Sequence, residues 1–308
     1  MSLRFHSLVC IGECMLELRL SDATEEAAEV VVSGDSLNTA IYAKRSSPDE
    51  LKVAYATALG TDGISDQIIS VIKSETVDTG LVRRINDRTP GCYAIFTDPS
   101  GERSFRYWRD QSAARQLLED RSAAYVEALA EFDAWYLSGI TLAILDLEQR
   151  SFLFEAIEAF RNQGGLLVFD SNYRPNLWLN QRDAQNAIAQ AWRVCDIALP
   201  SLDDEMALFD DIHEKGVLDR LASLGVQFGA LKRAALGPTP IGWATDQTYL
   251  PAESVVDTTA AGDSFNGGFL ASLAAGGSPQ DAALAGHRLA RLVVSQRGAI
   301  IDPALMTV

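Results

Sequence analysis

Histidine and cysteine are scarce, with 3 His and 4 Cys in 308 residues. Cys10, Cys14, Cys92 and Cys195 form no C-x-x-C pair and no disulfide-framework spacing, so the reduced thiols of a cytoplasmic protein are expected. His6 and His213 lack companions at metal-ligand spacing, which argues against zinc. No window approaches the roughly 18 apolar residues of a membrane-crossing helix. Glu13 and Glu17 interrupt the N-terminal apolar run and no small-residue cleavage pattern follows, so a soluble chain without a signal peptide is expected. Basic residues are few: 26 Lys plus Arg stand against 42 Asp plus Glu, a formal charge of −16. Such a body repels phosphate backbones and anionic lipid heads, so neither nucleic acid nor membrane is expected as a partner, and a small anion needs a local positive site. Repeats and low-complexity tracts are absent too.

What is present reads as a globular α/β chain. At 47% hydrophobic and 22% charged residues, disorder, collagen and coiled coil are excluded. LVCIG (8–12), KVAYATALG (52–60), AWYLSG (134–139), LLVFDSN (166–172), IALPS (197–201) and FGALKR (228–233) are apolar strands of buried type. Helical patterns alternate with them, such as EQRSFLFEAIEAFRNQG with Phe152, Ala156, Ala159 and Phe160 on one face. The alternation predicts a mostly parallel central sheet flanked by helices on both faces. Residues 13–33 and 88–107 break the rhythm with period-two alternation and turn signals at Pro99, Ser100 and Gly101. They predict a small β-sheet lid inserted in a single domain spanning 1–308.

The densest chemistry lies in ESVVDTTAAGDSFNGGFLASLAAG (253–276). A strand-like ESVV leads to a turn of small residues, Thr258–Gly262, and to a helix starting near Asp263. Small side chains leave backbone N–H groups uncovered at the positive end of a helix, a ready anion site. Asp263 there has two readings: a helix N-cap, or a general base beside a phosphate cradle.

DTTAAGD resembles the C-terminal signature, usually DTxGAGD, of the ribokinase-like (PfkB) sugar kinases. That resemblance implies an anion hole from the amides of Ala260, Ala261, Gly262 and Asp263, with Asp263 as base. Ala260 stands where Gly is commoner, and its methyl leaves the amide free provided the backbone needs no positive φ. SGDSLNTAIYAKR (33–45) resembles the family's N-terminal signature. Gly34 would let substrate approach the backbone and Asp35 and Asn38 would hold sugar hydroxyls, although Asp35 also suits a helix cap. ALGTDGISDQ continues the pattern, with Gly60, Asp62 and Gly63 as turn chemistry.

GERSFRYWRDQSAARQL (101–117), FDSNYRPNLW (169–178) and SQRGAI (295–300) look like the 2-dehydro-3-deoxygluconokinase branch of that family, with fructokinases the nearest relatives. The resemblance implies ATP- and Mg2+-dependent phosphorylation of a sugar acid at its 6-hydroxyl. A carboxylate substrate calls for cations and hydroxyls: Tyr107, Arg109 and Arg174 are the candidates, with Tyr93 adding a hydroxyl. Each also has an ordinary role, Arg109 as a solvated residue, Arg174 as a loop tie and Tyr93 as a sheet aromatic. No G-x-x-x-x-G-K-[ST] loop occurs, so the amide cradle must replace it. In LPSLDDE (199–205), Ser201 takes the place of the family's nucleotide-side Asn, and Asp204 or Glu205 would order the metal through water, unless the acidic run only starts a helix. Lys232 would face the nucleotide and His287 the adenine. A monovalent cation near Asp257 and residues 297–302 stays open. The same-class rival is a fructokinase or other hexose kinase, and the different-class rival is a non-catalytic sugar or nucleotide sensor. A homodimer or higher assembly through the lid is expected, since an exposed sheet must be covered.

Overall fold

The computed structural model describes residues 4–21, 29–47, 49, 51–97 and 103–306. Its strands are β1 (Ser7–Ile11), β2 (Met15–Ser21), β3 (Glu29–Ser33), β4 (Lys52–Leu59), β5 (Val82–Arg84), β6 (Gly91–Thr97), β7 (Arg103–Trp108), β8 (Ala134–Ser138), β9 (Leu166–Asp170), β10 (Ile197–Ala198), β11 (Gly229–Leu231) and β12 (Thr239–Ile241). The helices are α1 (Asp35–Ser46), α2 (Gly63–Ser74), α3 (Ala123–Leu129), α4 (Gly139–Ile144), α5 (Leu147–Asn162), α6 (Gln181–Val194), α7 (Leu202–Phe209), α8 (Glu214–Ser223), α9 (Ala261–Ala274) and α10 (Pro279–Val294). An eight-stranded sheet runs β12-β11-β10-β9-β8-β1-β4-β5, and every neighbouring pair is parallel except β11 with β12.

Period-two alternation divides the strand residues between two cores. Val9, Ile11, Trp135, Leu137, Leu167 and Phe169 face α4, α5 and α6, with Trp135 stacked on Phe160 at 4.3 Å. Leu8, Cys10, Tyr55, Tyr136 and Val168 face α1, α9 and α10. With both faces covered, the strands read as continuous apolar runs, which is why the sequence exposes them so plainly. Local chemistry sets the helix starts: Asp62 accepts from the amides of Ile64 and Ser65, and Ser278 forms a capping box with Asp281.

A separate four-stranded sheet has the order β3-β2-β6-β7. Its halves are the expected hairpins, antiparallel within each, but they join through parallel β2 and β6, with Glu17 opposite Tyr93. The turn signal at Pro99, Ser100 and Gly101 lies outside the described residues. The crossings between the two sheets meet around Glu13. Its buried carboxylate accepts from Arg109 and Ser112 just beyond β7. A β-carbon at Gly34 would collide with its carbonyl oxygen, and one at Gly91 would lie 3.0 Å from its Oε1. The amide of Ala113 donates to Thr89, which ties the last crossing to the start of β6.

Two local readings are corrected. ESVV is no strand: Val255 and Val256 are 64% and 48% exposed, and the segment is held by the amides of Val256 and Asp257 donating to the carbonyl of Val294. In α5 the buried face carries Leu153, Ala156, Ile157 and Phe160, while Ala159 faces solvent, because the stripe turns with the 3.6-residue period.

Candidate active site

Parallel sheets present their ligand sites beyond the carboxyl ends of the strands. There β9 delivers Asp170, β11 leads into Lys232, and α9 begins with Ala261. Lys232 Nζ lies 2.5 Å from Asp170 Oδ2 and 3.1 Å from Asn266 Oδ1. Asn266 returns its amide to Asp170 Oδ2 at 2.7 Å and to Tyr136 at 3.1 Å. Asp170 and Asn266 were not singled out in the sequence. The polar DSN following the apolar run LLVF was the available signal for the first.

Asp263 sits in the first turn of α9, buried, and its Oδ2 accepts from Asn38 Nδ2 at 2.8 Å. Burial, then the negative charge of Asp35, push its carboxyl up to about 7, against the Asn38 hydrogen bond; Asp170 adds to the rise and Lys232 opposes it. Asp35 is raised as well, chiefly by burial, although Ser138 and the amide of Ser36 bond to it. Its Oδ2 accepts from Asn172 at 3.1 Å. The two signatures, more than two hundred residues apart, thus meet in one buried acidic cluster.

Around Ala260 the expected cradle is modified. Ala260 has φ +58° and ψ 17°, so the condition that its backbone needs no positive φ is not met. The amide of Ala261 turns back to the carbonyl of Thr258 at 3.2 Å, and helical bonding closes with Ser264 on Ala260. That leaves the amides of Gly262 and Asp263 in the first turn, where an α-helix has no partners of its own for them. A β-carbon at Gly262 would lie 3.5 Å from Lys232 Nζ. Left-handed backbone costs an L-residue about 1–2 kcal/mol, so Ala260→Gly is expected to raise stability by about 1 kcal/mol, measured by chemical unfolding. An unchanged or lowered stability would reject the strain.

Beside this turn a cavity of about 380 Å³ is lined by Ser201, Lys232, Gly262, Pro251, His287 and Arg291 among others. The cavity therefore brings the nucleotide-side candidates Ser201, Lys232, Gly262 and His287 together. His287 Nε2 lies 2.7 Å from the carbonyl of Leu250, so it donates, and burial lowers its pKa and keeps the ring neutral.

The remaining candidates are distributed unevenly. Arg174, with a side chain 52% exposed, donates to the carbonyl of Tyr173 at 2.8 Å and approaches Asp204 Oδ1 at 3.4 Å. Its charge is felt by both Asp35 and Asp204. Tyr107 is 53% exposed and stacks on Tyr93 at 5.5 Å. Arg109 is not a solvated residue: it is 6% exposed and ion-paired with Glu13, so its charge is already matched. The Tyr93 hydroxyl donates to the buried Glu17 and is not a spare donor. Asn38 serves Asp263, and Gly34 is required where the chain packs on Glu13 and Cys14. Glu205 is corrected: fully buried, it accepts from Trp192 Nε1 at 3.2 Å and Arg220 Nη2 at 2.8 Å, inside α7 and α8. Asp204 is the carboxylate near the site, its ionisation resisted by burial and eased by Arg174. Asp257 joins Thr259, at 2.7 Å and 2.9 Å, to the amide of Gly298 at 3.0 Å.

Comparison with known proteins agrees with this geometry. The chain is 44% identical to the 2-dehydro-3-deoxygluconokinase of Escherichia coli K12, over 97% of its length and 98% of that protein. Against the protein of that name from Haemophilus influenzae it is 40% identical, over 95% and 94%. A fructokinase of Vibrio alginolyticus is 26% identical, over 72% of this chain and 71% of its own. Among solved structures, a PfkB protein from Polaromonas sp. JS666 superposes with a TM-score of 0.82 at 22% identity, covering 98% and 99% of the chains. A putative ribokinase II from E. coli in complex with ATP and Mg2+ superposes at 0.79 with 19% identity, covering 96% and 94%. Residues 6–305 match the pfkB family carbohydrate kinases. With fold, buried carboxylate and near-full-length similarity in agreement, the chain belongs to the pfkB family of carbohydrate kinases.

Proposed function

We propose that the protein transfers the γ-phosphoryl group of ATP to the 6-hydroxyl of 2-dehydro-3-deoxygluconate, in the cytoplasm, the compartment that supplies ATP. One observation carries the sugar assignment: four 2-dehydro-3-deoxygluconokinases match at 40–44% identity over 95–97% of the chain, whereas fructokinases match at 26–29% over 72–73%, as distant as a fifth 2-dehydro-3-deoxygluconokinase, from Bacillus subtilis, at 27% over 80%. In this reading Asp263 takes the hydroxyl proton as the sugar oxygen attacks the γ-phosphorus and the bond to ADP breaks. Asn38 fixes the carboxylate, and the amides of Gly262 and Asp263 stabilise charge on the transferred group. Asp35 serves the sugar, and Arg174, the more exposed of the two candidate arginines, serves its carboxylate.

Magnesium is carried by one or two carboxylates with water and phosphate oxygens, not by a protein cage. Asp204, close enough to Asp170 and Lys232 to feel their charges, fits that requirement, and no cluster of three or more His, Cys, Asp or Glu suited to a metal occurs among the described residues. When bound, Mg2+ neutralises charge between the β- and γ-phosphates. The test is kcat/KM for 2-dehydro-3-deoxygluconate and fructose on the parent and on Arg174→Ala. A loss of roughly 10–150-fold for the acid alone is expected, the worth of one charge-assisted bond. Preference of the parent for fructose, or equal loss on both sugars, would overturn the reading.

The raised carboxyl of Asp263 sets a pH dependence. A base must be ionised, so kcat/KM should fall as pH drops through about 7, by about tenfold per unit below it. Asp35→Asn removes a like charge and should move this limb to lower pH. A limb that stays in place when Asp35 loses its charge would remove Asp263 from the proton transfer.

We also infer a homodimer through the small sheet. β3 and β7 are its edges, and Val30, Tyr107 and Trp108 on them are 53–59% exposed. Light scattering at assay concentration should give twice the chain mass; a fully active monomer would exclude the pairing.

A further inference from the structure

The small sheet meets the body of the protein at a second place, one that the kinase chemistry has not used. Arg19 lies on β2, six residues beyond Glu13, about 20 Å along an extended chain at roughly 3.3 Å per residue. Its Nε donates to Oε1 of the buried Glu17 at 2.6 Å, and Glu17 Oε2 accepts from the hydroxyl of Tyr93, the sugar-side candidate stacked on Tyr107. The far end of the same guanidinium rests on the C-terminal loop: a β-carbon on Gly298 would lie 2.5 Å from Nη2, 2.9 Å from Nη1 and 3.1 Å from Cζ. With all three atoms that close, the guanidinium covers the backbone there, and only glycine admits it. Gly298 also has φ +90°, a value that glycine takes without steric cost. The loop so covered is tied on two other sides. The Gly298 amide donates to Asp257 Oδ2 at 3.0 Å, and Asp257 Oδ1 accepts from the amide and hydroxyl of Thr259 at 2.9 Å and 2.7 Å, one residue before the left-handed Ala260. The carbonyl of Ala299 accepts from Tyr42 at 2.7 Å and that of Ile301 from Arg45 at 2.6 Å, both on α1, the helix whose Asn38 holds Asp263. An unbroken series of bonded or touching groups therefore runs from Tyr93 through Glu17, Arg19, Gly298, Asp257 and Thr259 to the turn that presents the Gly262 and Asp263 amides.

We infer that Arg19 is a positioning residue, a latch through which the small sheet, once seated over the sugar, sets the turn that receives the nucleotide. The inference rests on the kinase reading but not on the identity of the sugar. It requires the two ligands to assist each other. Sugar that seats the sheet strengthens nucleotide binding, and by linkage the nucleotide strengthens sugar binding by the same factor. The opposing view is that Arg19 only neutralises Glu17, a carboxylate too deeply buried to stand without a cation.

Calorimetry with Mg2+ and a β,γ-methylene analogue of ATP, which cannot be turned over, separates the two views. The sugar used is the one that the parent prefers in the kcat/KM comparison above. In the parent, saturating sugar should tighten the analogue by about 5–150-fold, the usual span of coupling between two sites. In Arg19→Met that factor should fall to within about twofold of unity, while the constant of each ligand alone moves no more than about threefold. Because Arg19→Met leaves Glu17 without its cation, the double variant Glu17→Gln with Arg19→Met removes both charges, keeps an acceptor for Tyr93 and is the deciding protein. Loss of the coupling in the double variant, with each ligand still bound alone, supports the latch. A parental factor in the double variant, a parent without coupling, or weakening of the ligands taken singly overturns it. Preference of the parent for fructose would count against the sugar assignment alone, since the coupling is then measured with fructose.

Discussion

Asp263→Asn is expected to lower kcat by about 10²–10⁴-fold, the usual contribution of general-base assistance, while ATP affinity stays within a few-fold. The amide retains the shape of the carboxylate and can still accept from Asn38, whose Nδ2 now lies 2.8 Å from Oδ2. What it loses is basicity. A second readout separates this from structural damage. Asp263 has its carboxyl raised to about 7 in the folded protein by burial and by Asp35, so the native state binds protons more readily than the unfolded chain. The stability linked to this group is full below its unfolded value and is lost as pH rises through about 7. The asparagine variant escapes that loss and should be more stable than the parent at pH 8, by about a few kcal/mol. Turnover within tenfold of the parent, or a variant less stable at pH 8, would contradict the assignment.

Arg220→Met should have the largest effect on stability and little on catalysis. Arg220 Nη2 bonds Glu205 Oε2 at 2.8 Å and Asp211 at 2.7 Å, and its guanidinium lies 3.8 Å from the Phe209 ring. Removing it leaves the buried Glu205 carboxylate with the Trp192 indole as its side-chain hydrogen-bond donor. Stranding one member of a buried ion pair costs about 3–5 kcal/mol. The midpoint of chemical unfolding should fall accordingly, while the Mg2+ dependence of turnover stays unchanged. Asp204→Asn should show the reverse pattern, with near-parental stability and a higher Mg2+ requirement. If Arg220→Met shifts the Mg2+ requirement instead, Glu205 belongs to the metal site after all.

How much was legible in the sequence follows from which contacts are local. LVCI, KVAYATAL and LLVF announced their strands because both faces of the main sheet are covered, so nearly every residue of these runs is apolar. Asp62, read as turn chemistry, caps α2 through bonds that reach only two or three residues along the chain, and the cap at Ser278 is equally local. ESVV misled because two apolar residues in a row imitate a strand, whereas here they lie exposed beside α10. The left-handed Ala260 was not legible, because a turn of small residues states no φ. The partners of Lys232, Arg109 and Tyr93 were hidden for another reason. Asp170, Glu13 and Glu17 lie 62, 96 and 76 positions away respectively, and pairing over such separations is set by topology, not by local pattern. Composition did show an acidic protein in need of local cations, but not that Glu13 already occupies one of them.

The gathering of chain crossings at Glu13 bears on how freely this protein can vary in length. The excursion from Glu13 to Gly34 closes on itself, as does that from Gly91 to Arg109, whose β-carbon would be 3.2 Å from one placed on Gly91. Ends already held together make the intervening length a matter of ring-closure entropy, which grows only as a logarithm. Doubling either excursion would cost about 0.6 kcal/mol, less than many single core substitutions. Insertions at the far ends of these excursions should therefore accumulate readily between lineages, while the residues at the four closing positions, 13, 34, 91 and 109, tolerate almost no substitution.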